Sequence, residues 1–67
     1  MKSQILNQKK LDTGVAIGLV RYPNGNYRWI YQAFGKTIPF PRSRFHSLKA
    51  FEKFIRACLR KGEVIQP

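Results

Sequence analysis

The tetrapeptide Pro23-Asn24-Gly25-Asn26 constrains the fold more than any other feature of this sequence. An Asn-Gly pair favours a two-residue type I′ turn, because both residues accept positive φ angles. Residues 15–22 before it are rich in β-branched and apolar side chains, and residues 27–34 after it are rich in aromatic ones. Both compositions suit paired strands. The sequence therefore predicts a β-hairpin whose loop is Asn24-Gly25.

A short third strand is predicted over residues 37–40, after a second tight turn at Gly35-Lys36. Pro39 and Pro41 place this strand at an edge of the sheet, where the missing N–H of a proline does not interrupt a ladder.

A helix is predicted next, with Ser47 as its N-cap and Gly62 just beyond its end. Apolar residues recur at helical spacing between them, namely Leu48, Phe51, Phe54, Ile55, Cys58 and Leu59. The predicted class is α+β, with a three-stranded antiparallel sheet packed against one C-terminal helix in the order β-β-β-α.

This organisation divides the chain into a flexible basic arm (1–12), a ββα-type domain (13–62) and a short tail (63–67). Cys58 is the only cysteine, so no disulfide can form within the chain, which suits a reducing compartment. The first residues lack the apolar stretch of a signal peptide, and the longest apolar run, 15–20, is too short to span a bilayer. We expect a cytoplasmic location and no membrane partner.

The two faces of the predicted sheet differ less in hydrophobicity than those of most antiparallel sheets covered on one side. With a two-residue loop, Val20 lies opposite Trp29 on the side expected to receive the helix. The other side then combines Ile17, Leu19, Ile30 and Phe34 with Arg21, Arg28 and Gln32. A one-residue change in a turn would exchange these sides. A sheet that is partly apolar on both faces predicts a contact on the second one, either with a protein, including a second copy, or directly with nucleic acid.

No catalytic set is visible. The three acids, Asp12, Glu52 and Glu63, fall in different segments. One histidine, His46, and one cysteine do not make a zinc site, which normally needs four ligands. We therefore expect no enzyme activity, no metal, no cofactor and no small-molecule substrate.

The charge is the most informative feature of the composition. Thirteen Lys and Arg against three acids leave a formal charge of +10 on 67 residues. This excess goes beyond the charge of about 2 to 8 that keeps a small domain soluble. A polyanion is the simplest partner.

The placement of the cations selects the candidate nucleic-acid contacts: Arg21, Tyr27, Arg28, Lys36, Arg42 and Arg44. Arg21 and Arg28 are expected to face each other across the hairpin, an arrangement that favours an anion between them. Arg42 and Arg44 precede the helix N-terminus, which suits a phosphate. Tyr27 lies beside the hairpin tip, where it is free to stack on a base. The cations of the helix are interpreted as a solvated face.

Residues 27–61 combine an aromatic strand, the Gly35-Lys36 turn, a short strand and the sequence Phe-His-Ser-Leu-Lys-Ala-Phe at the start of a helix. This pattern resembles the DNA-binding domains of phage integrases and plant ethylene-response factors, and it is similar to small bacterial ββα repeats. The resemblance to the DNA-binding domains implies a sheet that lies in the major groove with the helix on its back. It also implies sheet contacts from Arg21, Arg28 and Lys36.

Three functional hypotheses follow. The first is a nucleic-acid-binding protein, with duplex DNA favoured over RNA. The second is a protein-interaction module, such as a phage or accessory factor, that docks on an acidic protein surface through its apolar second face. The third, a homodimer built through that face, is compatible with either.

Overall fold

The computed structural model describes residues 2–67 and contains a four-stranded antiparallel sheet followed by one helix. The elements are β1 (Gln4–Asp12), β2 (Val15–Arg21), β3 (Tyr27–Ala33), β4 (Lys36–Pro41), a 3₁₀ turn (Arg42–Arg44) and α1 (Leu48–Lys61). The strands lie in the order β1-β2-β3-β4, so each pairs with its neighbour in sequence. The predicted α+β class, with an antiparallel sheet and one C-terminal helix, is confirmed. The predicted number of strands, three, is wrong.

The additional strand is β1, which the sequence analysis assigned to a flexible arm. It pairs along β2, and its Leu11 packs against the core. Every other residue of β1 is exposed, and two register shifts, at Ile5/Asn7 and Lys10/Asp12, interrupt the pairing. A strand that is exposed and irregular shows no period-two hydrophobic pattern. This explains why its sequence resembles an arm.

The β2–β3 hairpin has a three-residue loop, Pro23-Asn24-Gly25, in place of the predicted two-residue loop. The N–H of Tyr22 donates to the carbonyl of Asn26 at 2.8 Å, and the N–H of Gly25 donates to the carbonyl of Tyr22 at 2.9 Å. A two-residue loop would pair Pro23 with Asn26, and proline has no N–H to complete that pair. Instead Pro23 takes the second position of a turn, and Gly25, at φ +88°, supplies the left-handed residue of a three-residue hairpin.

This loop shifts the register by one residue and changes which side chains share a face. Leu19 lies opposite Trp29, and Ile17 lies opposite Tyr31. Ile17 and Leu19 therefore face the helix, and the prediction that they face away from it is wrong. Arg21 lies opposite Tyr27, while Arg28 lies opposite Val20. The two arginines thus lie on opposite faces of the sheet and do not face each other.

We call the side of the sheet away from α1 the second face. Three rows of cross-strand neighbours form it: Lys10–Ala16–Gln32–Thr37, Gln8–Gly18–Ile30–Pro39 and Ile5–Val20–Arg28–Pro41. Its apolar residues differ from the predicted set, with only Ile30 common to both, and polar or charged side chains surround them. Ile30 is buried within this face, separate from the main core.

The β3–β4 turn consists of Phe34 and Gly35, one residue earlier than predicted, with φ angles of +51° and +81°. Ala33 consequently pairs with Lys36, so Lys36 begins β4. Ile38 lies opposite Tyr31 and Phe40 opposite Trp29. Both β4 side chains therefore share the face of Trp29.

The core lies between α1 and the face of the sheet that carries Trp29. Its largest fully buried side chains are Phe40, Phe51, Ile17 and Ile55. The helix begins as predicted, because the Oγ of Ser47 accepts the N–H of Ala50 at 3.1 Å. It ends with two hydrogen bonds from Gly62 and Glu63 back to the carbonyls of its last turn. Cys58 is buried, but Leu59 is 45% exposed, so the apolar stripe of the helix is wider than the surface that the sheet covers.

Candidate nucleic-acid interface

Four of the predicted contact residues meet at one end of the sheet, where β2 ends, β3 begins and β4 ends. Arg21 pairs with Tyr27, Arg28 pairs with Pro41, and Arg42 follows Pro41 directly. The start of β1 reaches the same end, because Gln4 pairs with Arg21. Lys2 lies beside Arg21 there. We call this group the hairpin end: Lys2, Arg21, Tyr27, Arg28 and Arg42.

Arg21 and Tyr27 form a cross-strand pair on the helix side of the sheet. The guanidinium carbon of Arg21 lies 5.9 Å from the centre of the Tyr27 ring, within the range of a cation–π contact. The Tyr27 side chain remains 37% exposed. This pair therefore presents an aromatic surface and a cation together to solvent.

Arg28 extends from the second face at the same end. Its Nη1 donates to the carbonyl of Tyr27 at 2.9 Å. A guanidinium carries five N–H donors, and this bond uses one of them. It orients the group and leaves most of its donors for a ligand.

Arg42 is held by the core. The indole Nε1–H of Trp29 donates to the carbonyl of Arg42 at 3.0 Å and to that of Phe45 at 3.1 Å. The Arg42 guanidinium lies 5.2 Å from the Trp29 ring centre, and its Nη1 reaches the Phe45 carbonyl at 3.4 Å. Trp29 itself is 2% exposed. The loop before the helix is thus fixed by a buried side chain.

Arg44 lies over an aromatic cluster on the helix side. Its guanidinium carbon is 5.4 Å from the ring centre of Phe54, 5.6 Å from that of Phe45 and 6.0 Å from that of Phe40. Stacking on rings leaves the edge donors of a guanidinium available. Arg44 is therefore oriented by the core while it stays exposed.

Lys36 does not belong to this group. It begins β4 at the opposite end of the sheet, opposite Ala33. Because consecutive turns of a meander lie at opposite ends of the sheet, Lys36 is separated from the four predicted contacts of the hairpin end.

The acids lie away from the hairpin end. Glu52 on α1 accepts from Lys9 Nζ and Arg56 Nε, each at 2.8 Å. These two bonds, chiefly the one from Lys9, hold the pKa of Glu52 below its ordinary value. Glu63 lies 4.0 Å from Lys61 beyond the helix, and the Oδ1 of Asp12 accepts the N–H of Thr13 in the first turn. Within residues 2–67, no carboxylate bonds an arginine of the hairpin end.

The helix carries a second basic surface that sequence reasoning interpreted as solvated. Lys49, Lys53, Arg56 and Arg60 follow one another at spacings of four, three and four residues, and all are exposed. This helix stripe shares one face of α1. Arg56 alone among them is bonded to a carboxylate in the described chain.

No cluster of three or more metal-binding side chains occurs among the described residues. In the same part of the chain, α1 is too short and too polar to cross a membrane.

Comparisons with protein-family models, with curated proteins and with solved structures found no match to this chain. The resemblance to sheet-type DNA-binding domains thus stays a prediction from the sequence.

Proposed function

We propose that this protein binds nucleic acid, with duplex DNA as the favoured form. It would contact phosphates through Arg21, Arg28 and Arg42 at the hairpin end and through Arg44 in the loop before the helix. One observation carries the proposal. These guanidinium groups are oriented by rings and backbone carbonyls, and no carboxylate of the described chain bonds them. Arginine forks suit phosphate geometry, and an unneutralised cluster of them attracts a polyanion.

Burial of the aromatic residues supports backbone contacts over extended base stacking at this end. Trp29 and Tyr31 are inside the core and are not available to a base. Of the three aromatic residues in β3, Tyr27 alone is exposed. A surface that binds single strands by stacking normally presents several such rings along a groove. The hairpin end therefore suits the regular phosphates of a duplex.

The experiment is fluorescence anisotropy with a labelled duplex of about 20 base pairs, titrated at several salt concentrations. Binding through phosphates should weaken linearly on a log–log plot, with a slope near −0.9 per phosphate neutralised. Failure of the folded protein to bind at low salt would refute the proposal.

Two variants of equal charge locate the contact. Arg21→Gln/Arg28→Gln/Arg42→Gln removes three cations from the hairpin end, and Lys49→Gln/Lys53→Gln/Arg60→Gln removes three from the helix stripe. The first should flatten the salt slope by roughly 2 to 3, and the second should leave it nearly unchanged. If the helix-stripe variant flattened the salt slope and the hairpin-end variant did not, the interface would lie on the helix. Circular dichroism of both variants checks that the fold is retained.

A second candidate function has its own observation. The apolar centre of the second face, formed by Ile5, Val20 and Ile30, lines a depression of about 270 Å³. Such a surface with Arg28 at its rim also suits an acidic protein partner or a second copy. A stoichiometric partner that survives nuclease treatment and is lost in Val20→Gln would favour the protein partner. Sedimentation that shows a monomer at high concentration would exclude the second copy.

A further inference from the structure

Phe34 is the most unusual residue outside the hairpin end. It occupies the first position of the two-residue β3–β4 turn with φ +51°, a conformation that bulky side chains rarely adopt. It is also 81% exposed, so its ring contributes little to the core. A strained and exposed aromatic residue at a hairpin tip indicates a contact outside the folded chain.

The ring is positioned by the neighbouring turn. The N–H of Phe34 donates to the carbonyl of Gly14 at 3.2 Å, which joins the β3–β4 turn to the β1–β2 turn. A Cβ atom on Gly14 would lie 3.0 Å from the Phe34 ring. The ring thus rests against a residue without a side chain, and most of its surface is free.

On the side of the second face, the surroundings of the Phe34 ring are cationic and polar. On the helix side, Phe34 and Lys36 border a largely apolar depression that also includes Glu63. The depression on the second face has a volume of about 400 Å³, and Phe34 borders it together with Lys10, Lys36, Gln32 and Thr37. Lys10, Gln32 and Thr37 belong to one cross-strand row of the second face, with the small Ala16 between them. Among residues 2–67, no acid lines this depression. The nearby Asp12 directs one carboxylate oxygen to the N–H of Thr13 in its own turn.

We propose that Phe34 stacks on a single unpaired or unstacked nucleobase, and that Lys10 and Lys36 contact the phosphates on either side of it. This inference rests on the proposed function and adds a second contact at the opposite end of the sheet. The charge selects the occupant, because Lys10 on the second face and Lys36 on the helix side supply two cations beside the ring, which suit a nucleotide better than an apolar peptide. Base–aromatic stacking tolerates any base, so the contact recognises an unstacked base and no particular sequence.

The probe is a labelled duplex of about 20 base pairs with one central unpaired adenine, compared with the same duplex fully paired. About ten base pairs on each side extend about 34 Å, enough for the hairpin end and the turn to bind together. The measured quantity is the ratio of the two dissociation constants. Wild type should prefer the bulged duplex on the order of tenfold.

The variant Phe34→Asn should remove this preference, and the turn should still form, because asparagine accepts positive φ. Phe34→Tyr keeps an aromatic ring and should retain the preference. Lys10→Gln/Lys36→Gln should weaken binding of the bulged duplex and flatten its salt slope.

The ratio of the dissociation constants for the two duplexes could be equal in wild type and Phe34→Asn while both duplexes bind in a salt-dependent way. That result would overturn the stacking inference and leave the proposed function intact. Absence of binding to either duplex would refute both. A dimer in wild type that becomes a monomer in Phe34→Asn, with an unchanged ratio, would assign Phe34 to a protein contact and overturn the inference.

Discussion

The buried indole of Trp29 bonds the carbonyls of both Arg42 and Phe45, at 3.0 and 3.1 Å. These bonds join β3 to the loop that carries Arg42 and Arg44. A core side chain therefore positions cations that take no part in the core. The relationship predicts that stability and binding depend on the same N–H group.

The substitution Trp29→Phe removes this donor. The Arg42 carbonyl then loses its side-chain partner, and the Phe45 carbonyl keeps only the longer bond from Arg42 Nη1. We expect a loss of about 1–3 kcal/mol in the free energy of unfolding, because buried polar groups are costly to leave unsatisfied. Duplex affinity should also fall, although no charge changes. Tyr31→Phe is the control, since none of the side-chain hydrogen bonds of the described chain involves the Tyr31 hydroxyl. Urea unfolding followed by circular dichroism is the measurement, and equal stabilities of the two variants would contradict the prediction.

The substitution Gly18→Ala tests whether β1 is part of the domain. A Cβ atom at Gly18 would lie 2.6 Å from the carbonyl oxygen of Asn7, closer than real contacts allow. We expect destabilisation of about 1–3 kcal/mol as β1 is displaced. Ala16→Ser, on the same face of β2, should change the stability by less than about 0.5 kcal/mol. If residues 4–12 were a free arm, both variants would unfold at the urea concentration of the wild type.

The substitution Glu52→Gln should remove a pH-dependent contribution to stability. Lys9 and then Arg56 lower the pKa of Glu52 in the native state. The stabilisation is therefore complete above the unfolded value near 4.5 and is lost as the pH falls through the lower native pKa. The difference between wild type and Glu52→Gln should thus be largest near neutrality and disappear in acid. Urea unfolding from pH 7 downward measures it, with Glu63→Gln as the exposed control. A difference that grows in acid would have the wrong sign.

The substitution Phe34→Asn should stabilise the fold by about 0.5–1 kcal/mol, because the left-handed conformation is costly for phenylalanine and accepted by asparagine. Phe34→Ala removes the ring without that benefit and should be no more stable than wild type. Thermal unfolding of the three proteins checks this order. A Phe34→Asn variant less stable than wild type would show that the ring contributes to folding despite its exposure.

Local chemistry determined much of the fold. The helix boundaries follow from Ser47 and Gly62, whose capping bonds depend on neighbours in sequence. The hairpin follows from its loop residues. The three-residue length of the loop also follows from the sequence, because Pro23 has no N–H with which to pair Asn26. Arg42 and Arg44 were likewise placed before the helix from sequence order alone.

Tertiary structure decided the features that depend on distant residues. Strand β1 is recognisable only through its pairing with β2, and Lys9 meets Glu52 across 43 positions. The register decided that Arg21 and Arg28 lie on opposite faces, and the meander placed Lys36 at the far end of the sheet. The sequence by itself determined a basic α+β chain, because propensity, capping and charge are local or additive. Which cations share a surface was decided only by the fold, because one residue of register exchanges the two faces of a strand.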